Sequence, residues 1–239
     1  MRAHRSAVLT AALLAAGCGA AGPGETGASA GAETAVVEEP SPEAAEPVQV
    51  DGLLGNISQH DVERTVQGKM NALAECYGEA LDALDVIEGE IVLAMTVDLD
   101  GSVAEAYLRD GNLGSLAAER CMLGVVERLR FPKPGGGRAE VSYPLVLDAP
   151  YDPPEPIAWG PGRTGAAIEE HMDDLERCLG GRTGVRLTLY VGPGGGVVSS
   201  GATAGSSEMY DAAECLAEAA AAWAFPDPGP DPAKAVIDF

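Results

Sequence analysis

Hydrophobic residues recur at three- and four-residue steps from Ser58 to Leu84, which is the pattern of an amphipathic helix. Between residues 91 and 97 the period falls to two, as in a half-buried strand. A turn at residues 98–101 then leads into a second apolar run. The order helix, strand, strand, helix, strand follows from these runs, with strands at 91–97, 103–108 and 141–147 and the second helix at 115–129.

The same order returns in the second half of the chain. When Cys178 is aligned with Cys76, the apolar positions of the preceding helix coincide. Val97 stands 24 positions before Cys121, and Val191 stands 24 before Cys215. We therefore predict an α+β fold of two tandem modules, each with a helix–helix disulfide. The predicted boundaries are residues 58–148 for the first module, 149–163 for a proline-rich linker and 164–239 for a shortened second module.

The first residues are typical of a bacterial export signal. Basic Arg2 and Arg5 precede an apolar run, Ala7–Ala16, that is shorter than the roughly 20 residues a membrane-spanning helix needs. The run ends in Leu14-Ala15-Ala16-Gly17-Cys18, which resembles a lipobox, although the leucine stands one position further from the cysteine than usual. We predict a lipoprotein signal peptide at 1–17 with Cys18 as the lipidation site; the alternative is an ordinary secretory signal.

Residues 18–57 have the composition of a tether. They contain no Lys, Arg or His and are rich in Ala, Gly, Pro and Glu. Too little apolar surface is present there to offset the entropy of ordering the chain. We therefore predict a disordered acidic segment between the lipid anchor and the first module.

The cysteine count agrees with export. Lipidation of Cys18 leaves four cysteines, and an oxidising compartment preserves disulfides. Because these four occupy equivalent places in the two copies, we predict Cys76–Cys121 and Cys178–Cys215 among the three possible connectivities. Zinc binding and a thioredoxin-like pair are the alternatives, and both lack the closely spaced Cys-x-x-Cys they require.

Charge and motifs limit the classes of function. A net charge of −22 repels phosphates, so we predict no nucleic-acid partner and contact with a membrane through the lipid anchor alone. The Asp98–Gly101 turn lacks the remaining ligands of an EF-hand, and the glycine runs lack the Gly-Lys-Ser/Thr of a phosphate loop. His171 aligns with Lys69, which argues against a catalytic base. We therefore predict that the protein is not an enzyme and that it has no cofactor, no metal site and no catalytic residue.

Several motifs carry a family resemblance. The first copy has Cys76-Tyr77, Asp100-Gly101, Phe131-Pro132-Lys133-Pro134 and Val141-Ser142-Tyr143-Pro144, and the second has Trp223-Ala224-Phe225-Pro226-Asp227-Pro228. These residues resemble the AgmX/PglI C-terminal domain family of myxobacteria and relatives, which is similar to the TonB C-terminal fold. The first copy has Leu129 where the family has Trp. The second has Leu179 for Tyr and lacks the final Tyr-Pro.

The resemblance implies a TonB-like fold and an envelope location, and it assigns no chemistry. We therefore expect a non-catalytic lipoprotein of the cell envelope, in the outer membrane and facing the periplasm or the surface. It would bind other envelope proteins in a motility- or envelope-associated complex. A structural lipoprotein contacting peptidoglycan or polysaccharide, and a hydrolase with an unrecognised site, are the alternatives.

A proline points to where partners would bind. Pro144 lacks the N–H that a central strand donates, so it favours an edge position. We predict that the strand around Val141, Tyr143 and Leu145 is the partner edge strand, since the equivalent strand of the second copy is shorter.

Overall fold

Each half of the chain folds as two helices, a β-hairpin, a third helix and a closing strand. The computed structural model describes residues 55–150 and 153–239. The predicted signal peptide, Cys18 and most of the predicted tether lie outside these residues. The first half contains α1 (Gln59–Gln67), α2 (Met70–Ala83), β1 (Gly89–Val97), β2 (Val103–Gly111), α3 (Leu116–Val126) and β3 (Ala139–Leu147). The second contains β4 (Ile157–Trp159), α4 (Pro161–Glu170), α5 (Met172–Leu179), β5 (Val185–Val191), β6 (Val197–Ala204), α6 (Tyr210–Ala220) and β7 (Ala233–Asp238).

The strands form two sheets, one in each half. The first is antiparallel, in the order β2-β1-β3, and the second has the order β4-β7-β5-β6. Val97 pairs with Ala139 in the first sheet and Val191 pairs with Ala233 in the second. The closing strand therefore meets the hairpin in the same register in both halves. The α+β class is confirmed.

The first helical segment of each half is broken, where the periodicity predicted one helix. The break falls at Lys69 (φ −120°) in the first half and at His171 (φ −113°) in the second. These are the two residues that the cysteine alignment makes equivalent. Val66 before the first break and Leu73 after it are both buried, so the hydrophobic pattern runs through a bend it does not reveal.

Both predicted disulfides are confirmed. Cys76–Cys121 joins α2 to α3 and Cys178–Cys215 joins α5 to α6, each with the Cα atoms 5.5 Å apart. Each bond links a helix before the hairpin to a helix after it. The two bonds close loops of 45 and 37 residues.

The predicted tether and linker both contain ordered residues. Gly55 and Asn56 hydrogen-bond to the segment before β3, so structure begins ahead of residue 58. Within the predicted linker, β4 pairs in parallel with β7. Its Trp159 is buried, with its ring centroid 6.4 Å from that of Phe225. This stretch supplies both a strand and a core residue to the second half.

The two hydrophobic cores are not independent. Tyr190 comes from β5 of the second half but is fully buried in the core of the first. Leu116 of α3 packs in turn against the core of the second half. Among the residues that the structure describes, no helix is long and apolar enough to cross a membrane.

Candidate functional site

The outer edge of β3 presents backbone groups that no strand in residues 55–150 or 153–239 pairs with. Arg138, just before β3, accepts a hydrogen bond from the Gly55 N–H (2.8 Å) on this side. Backbone direction alternates along a strand, so the even positions from residue 140 to 146 point to the same side. Pro144 is one of them. An N–H at position 144 would point to the free edge, away from β1. The proline therefore removes no hydrogen bond between β3 and β1.

The side chains of β3 divide between the core and solvent. Val141 and Leu145 are each 6% exposed and belong to the first core, and Tyr143 is half-buried against it. On the other face Val146 is 63% exposed. The side chains of the three residues predicted to mark the partner edge thus pack against the first core. A partner would meet the backbone of the alternate positions, together with the exposed Val146.

A groove runs between the β3 edge and helix α1. It is about 550 Å³ in volume and is lined by Gln59, Val62, Glu63 and Gln67 of α1 and by Ser142, Tyr143 and Pro144 of β3. Val62 and Tyr143 make its apolar surface, and Glu63 adds a carboxylate. A volume of about 550 Å³ has room for several side chains of a strand lying beside β3.

The other sheet edges in the described residues are short or contact other elements, and the edge strand β4 has only three residues. In the second sheet, β4 occupies the edge of β7 at residues 233–235. At the opposite edge β6 contacts β2 of the first half, although the two strands do not pair. The β6 edge is also capped by the start of α3, because the Ser199 hydroxyl donates to the Gly114 carbonyl (2.7 Å).

Among the described residues, the most buried acidic side chain is Glu119 of α3, which binds a backbone N–H at the β6 edge. Its carboxylate accepts N–H groups from Gly114 and Ser115 in the first half (3.2 Å each) and from Ala202 of β6 in the second (3.1 Å). Glu119 is 2% exposed, and this burial raises its pKa to about 7, while the three N–H donors act in the opposite direction. A side chain at Gly201 would overlap the carboxylate, so the two halves meet closely here.

Charged pairs surround this contact between the halves. The Arg120 guanidinium donates to Glu214 (2.8 Å) and to Glu218 (2.5 Å), both on α6. Arg186 of β5 likewise bridges Asp110 of the first half and Asp238 of the second. These interface residues are absent from the sequence predictions, because charged residues on helices and strand ends look like ordinary solvated positions.

A second polar contact surrounds Tyr190. Its hydroxyl donates to the Glu88 carbonyl (3.1 Å) and accepts from the Glu88 N–H (3.2 Å). The Lys234 ammonium donates to the same carbonyl (2.6 Å) and lies 5.3 Å from the centre of the Tyr190 ring. Burial raises the pKa of Tyr190 and lowers that of Lys234. A tyrosine and a lysine of the second half thus hydrogen-bond the backbone N–H and carbonyl of a single residue, Glu88, of the first half.

The residues weighed as a catalytic base or as calcium ligands instead contact neighbouring side chains and backbone groups. His171 stacks on Trp223 with ring centroids 4.8 Å apart, and the Trp223 indole N–H donates to Asp174. In the hairpin turn, Asp100 accepts from the Ser102 N–H and hydroxyl, which lowers the pKa of its carboxyl. Within the two described ranges, no three His, Cys, Asp or Glu side chains are grouped so as to hold a metal ion.

The chain matches no protein-family model, no curated protein and no solved structure. What it does must therefore be argued from its own residues and geometry. The feature that these leave accessible is the outer edge of β3.

Proposed function

We propose that this chain is a non-catalytic lipoprotein of the cell envelope whose two AgmX/PglI-like, TonB-like modules form one protein-binding unit. An extended segment of an envelope protein would add to its first sheet at the outer edge of β3. The observation that carries the proposal is the pattern of edge coverage. Of the strand edges in the described residues, β3 offers nine residues, while β7 is partly occupied by β4 and β6 is capped by α3.

Strand addition uses groups that are already in position. The backbone of the even positions of β3 would pair with the incoming chain, and this gives affinity without dependence on sequence. Selectivity would come from alternate side chains of the partner entering the groove beside Val62 and Tyr143. Glu63 lines the groove, so a partner segment carrying Lys or Arg is favoured there.

The second half supports the binding strand. Tyr190 is buried in the first core, and Glu119 ties α3 to β6. Such contacts would restrain the first sheet before a partner binds, and this would lower the entropy lost on association.

The anchor and the compartment are part of the same proposal. Two disulfides are consistent with an oxidising environment outside the cytoplasm. Cys18, which lies outside the described residues, would carry the lipid. The predicted acidic tether, most of which also lies outside the described residues, would separate the binding unit from the membrane surface.

The test uses two substitutions at one exposed residue of β3. Ser142→Pro removes an N–H that points to the free edge, and Ser142→Ala removes only the hydroxyl. Tagged full-length protein is crosslinked in envelopes, and its partners are identified by mass spectrometry. We expect Ser142→Ala to recover the same partner as wild type and Ser142→Pro to lose most of it, with both variants equally folded by circular dichroism.

Two results would overturn the proposal. One is a partner recovered equally with Ser142→Pro. The other is co-sedimentation with purified peptidoglycan that Ser142→Pro leaves unchanged, which would favour the structural lipoprotein. Since unspecific capture recovers both variants alike, the comparison of proline with alanine decides.

A further inference from the structure

A groove crosses the contact between the two halves beside Lys234 of β7. It consists of two adjoining cavities, of about 350 and 300 Å³, and both are lined by Glu88, Asn112 and Lys234. The larger cavity also reaches β4, at Trp159, and the exposed Val236 of β7. A cavity of this size has room for a small molecule.

Lys234 brings a positive charge to the larger cavity. Its ammonium donates to the Glu88 carbonyl (2.6 Å), and an ammonium has further N–H groups to donate. No carboxylate in the described part of the chain forms an ion pair with it. Burial lowers the pKa of Lys234, and the nearby Glu88 carboxylate offsets only part of this effect. An anion beside this ammonium would therefore be attracted more strongly than one beside a fully hydrated lysine.

Two further N–H donors line the same cavity. Asn112 Oδ1 accepts the Glu90 N–H (2.9 Å), and the NH₂ of the same amide has no acceptor among the residues that the structure describes. Trp159 is buried, and its indole N–H has no acceptor in those residues either, although it is not sealed from solvent. A carboxylate bound in the cavity would therefore find donors on an ammonium, an amide and an indole.

The cavity also has acidic side chains and an apolar wall. Glu88 and Glu155 line it with carboxylates, and Pro156, Ala158 and Val236 line it with hydrocarbon. N–H donors, carboxylates and hydrocarbon within one small volume are complementary to the carboxylate, the ammonium and the side chain of an α-amino acid. We propose that this cavity binds a free amino acid with an apolar side chain.

The charges of the cavity select a ligand that carries both signs. Two carboxylates and one ammonium line it, in a chain with a net charge of −22. This field repels a purely anionic ligand, and a purely cationic ligand would face the Lys234 ammonium. The carboxylate of an amino acid would lie at Lys234 and Asn112, with its ammonium toward Glu88 or Glu155. An internal segment of a partner protein has neither terminal charge, so this proposal does not depend on strand addition at β3.

The indole N–H signals of the two tryptophans report on the site in the purified full-length protein. Trp159 lines the cavity, whereas Trp223 does not, and the Trp223 indole donates to Asp174 (2.9 Å). We expect leucine, added in a proton–nitrogen NMR titration, to shift the Trp159 signal until it saturates. The Trp223 signal should stay in place.

Three compounds related to leucine each remove one feature of the ligand. N-Acetylleucine lacks the ammonium, leucinamide lacks the carboxylate and glycine lacks the apolar side chain. Each lost feature is a charge-assisted hydrogen bond or a buried side chain, so we expect each compound to bind about tenfold more weakly than leucine. This comparison uses the wild-type chain, so it does not require a variant to fold.

Two lysine substitutions test where the carboxylate binds. Lys234→Gln removes the charge but keeps an N–H for the Glu88 carbonyl, and we expect it to weaken leucine binding by about tenfold or more. Lys133→Gln makes the same change of net charge at an exposed lysine that does not line the cavity. It should bind leucine as the wild type does.

Any of three results would overturn the inference. The first is that leucine causes no saturable shift of the Trp159 signal, or moves the Trp223 signal as much. The second is that N-acetylleucine, leucinamide or glycine binds as tightly as leucine. The third is that Lys234→Gln loses no more affinity for leucine than Lys133→Gln does.

Discussion

Glu119 shows how one side chain can connect two halves of a molecule. On the sequence it is an acid in the apolar helix Leu116–Val126, where a carboxylate would ordinarily face solvent. In the structure it is buried and binds backbone N–H groups of both halves. One of them, from Ala202, belongs to a strand edge that would otherwise lack an acceptor. The helix therefore closes that edge with a side chain rather than with another strand.

The burial of Glu119 predicts a pH dependence of stability. Its pKa is about 7 in the folded protein and about 4.5 when exposed, so the folded state holds the proton more tightly. Unfolding then releases a proton between these values, and raising the pH favours the unfolded state. This contribution is fully present below pH 4.5 and is lost as the pH rises through 7.

The comparison with Glu119→Gln isolates this effect from other titrating groups. We expect the free energy of unfolding of wild type to fall relative to that of Glu119→Gln by on the order of 1–3 kcal/mol between pH 5 and 8. Urea unfolding at a series of pH values measures it. If the wild type instead gains stability relative to Glu119→Gln as the pH rises, the carboxylate is the favoured form and its N–H donors outweigh its burial.

At the scale of elements, the sequence predicted what depends on local periodicity and on repetition. Strands β1, β2 and β3 lie where alternation placed them, and both disulfides follow from the equivalence of the two copies. The three-residue strand β4 was missed. Its pairing is with β7, more than seventy positions away, and three residues between prolines carry no periodic signal.

The breaks at Lys69 and His171 were missed for a different reason. A bend that keeps both helices on the core leaves the three- and four-residue spacing unchanged. The free edge of β3 could be predicted, because a proline in a strand has few places to lie. The groove beside it could not, since its walls come from α1 and β3, which are distant in sequence.

The disulfides predict similar losses when either is removed. In the chain-entropy model, closing loops of 45 and 37 residues stabilises the fold by about 4 kcal/mol each, with a difference of only about 0.2 kcal/mol. Replacing Cys76 and Cys121 together with alanine should therefore cost about as much as replacing Cys178 and Cys215. Urea unfolding of the two double variants would contradict this if one pair proved dispensable.

At the scale of the whole molecule, the two halves contact each other through residues at corresponding positions of their sequences. Arg120 and Glu214 are the residues immediately before the second cysteine of each copy, and they bind each other. Opposite charges at these two positions allow a close approach of the halves that identical charges would resist. The Arg120–Glu214 pair thus favours packing of one half on the other.

Charge reversal tests that interface. Arg120→Glu places a third acid beside Glu214 and Glu218, and we expect it to lower the free energy of unfolding by about 1 kcal/mol, since the site is partly exposed to solvent. Adding Glu214→Arg should recover part of this loss. Arg128→Glu is the control of equal net charge. A loss as large in that control would mean that overall charge, not the interface, is responsible.

The anchor has its own test. Cys18→Ser should release the protein from membranes and abolish incorporation of labelled fatty acid, because the thiol that takes the lipid is gone. Fractionation with metabolic labelling of wild type and variant measures both. An unlabelled, soluble wild type would show that the leader is an ordinary secretory signal.

The most direct test of the docking edge places a photo-crosslinking residue at Ser142 or at Val236 in intact cells. Both are exposed and occupy the same register position of the two sheets, but on β7 the neighbouring edge positions, residues 233–235, are already paired with β4. We expect an adduct between position 142 and an extended segment of an envelope protein, and none from position 236. Equal adducts from both positions, or an adduct from position 236 alone, would contradict it.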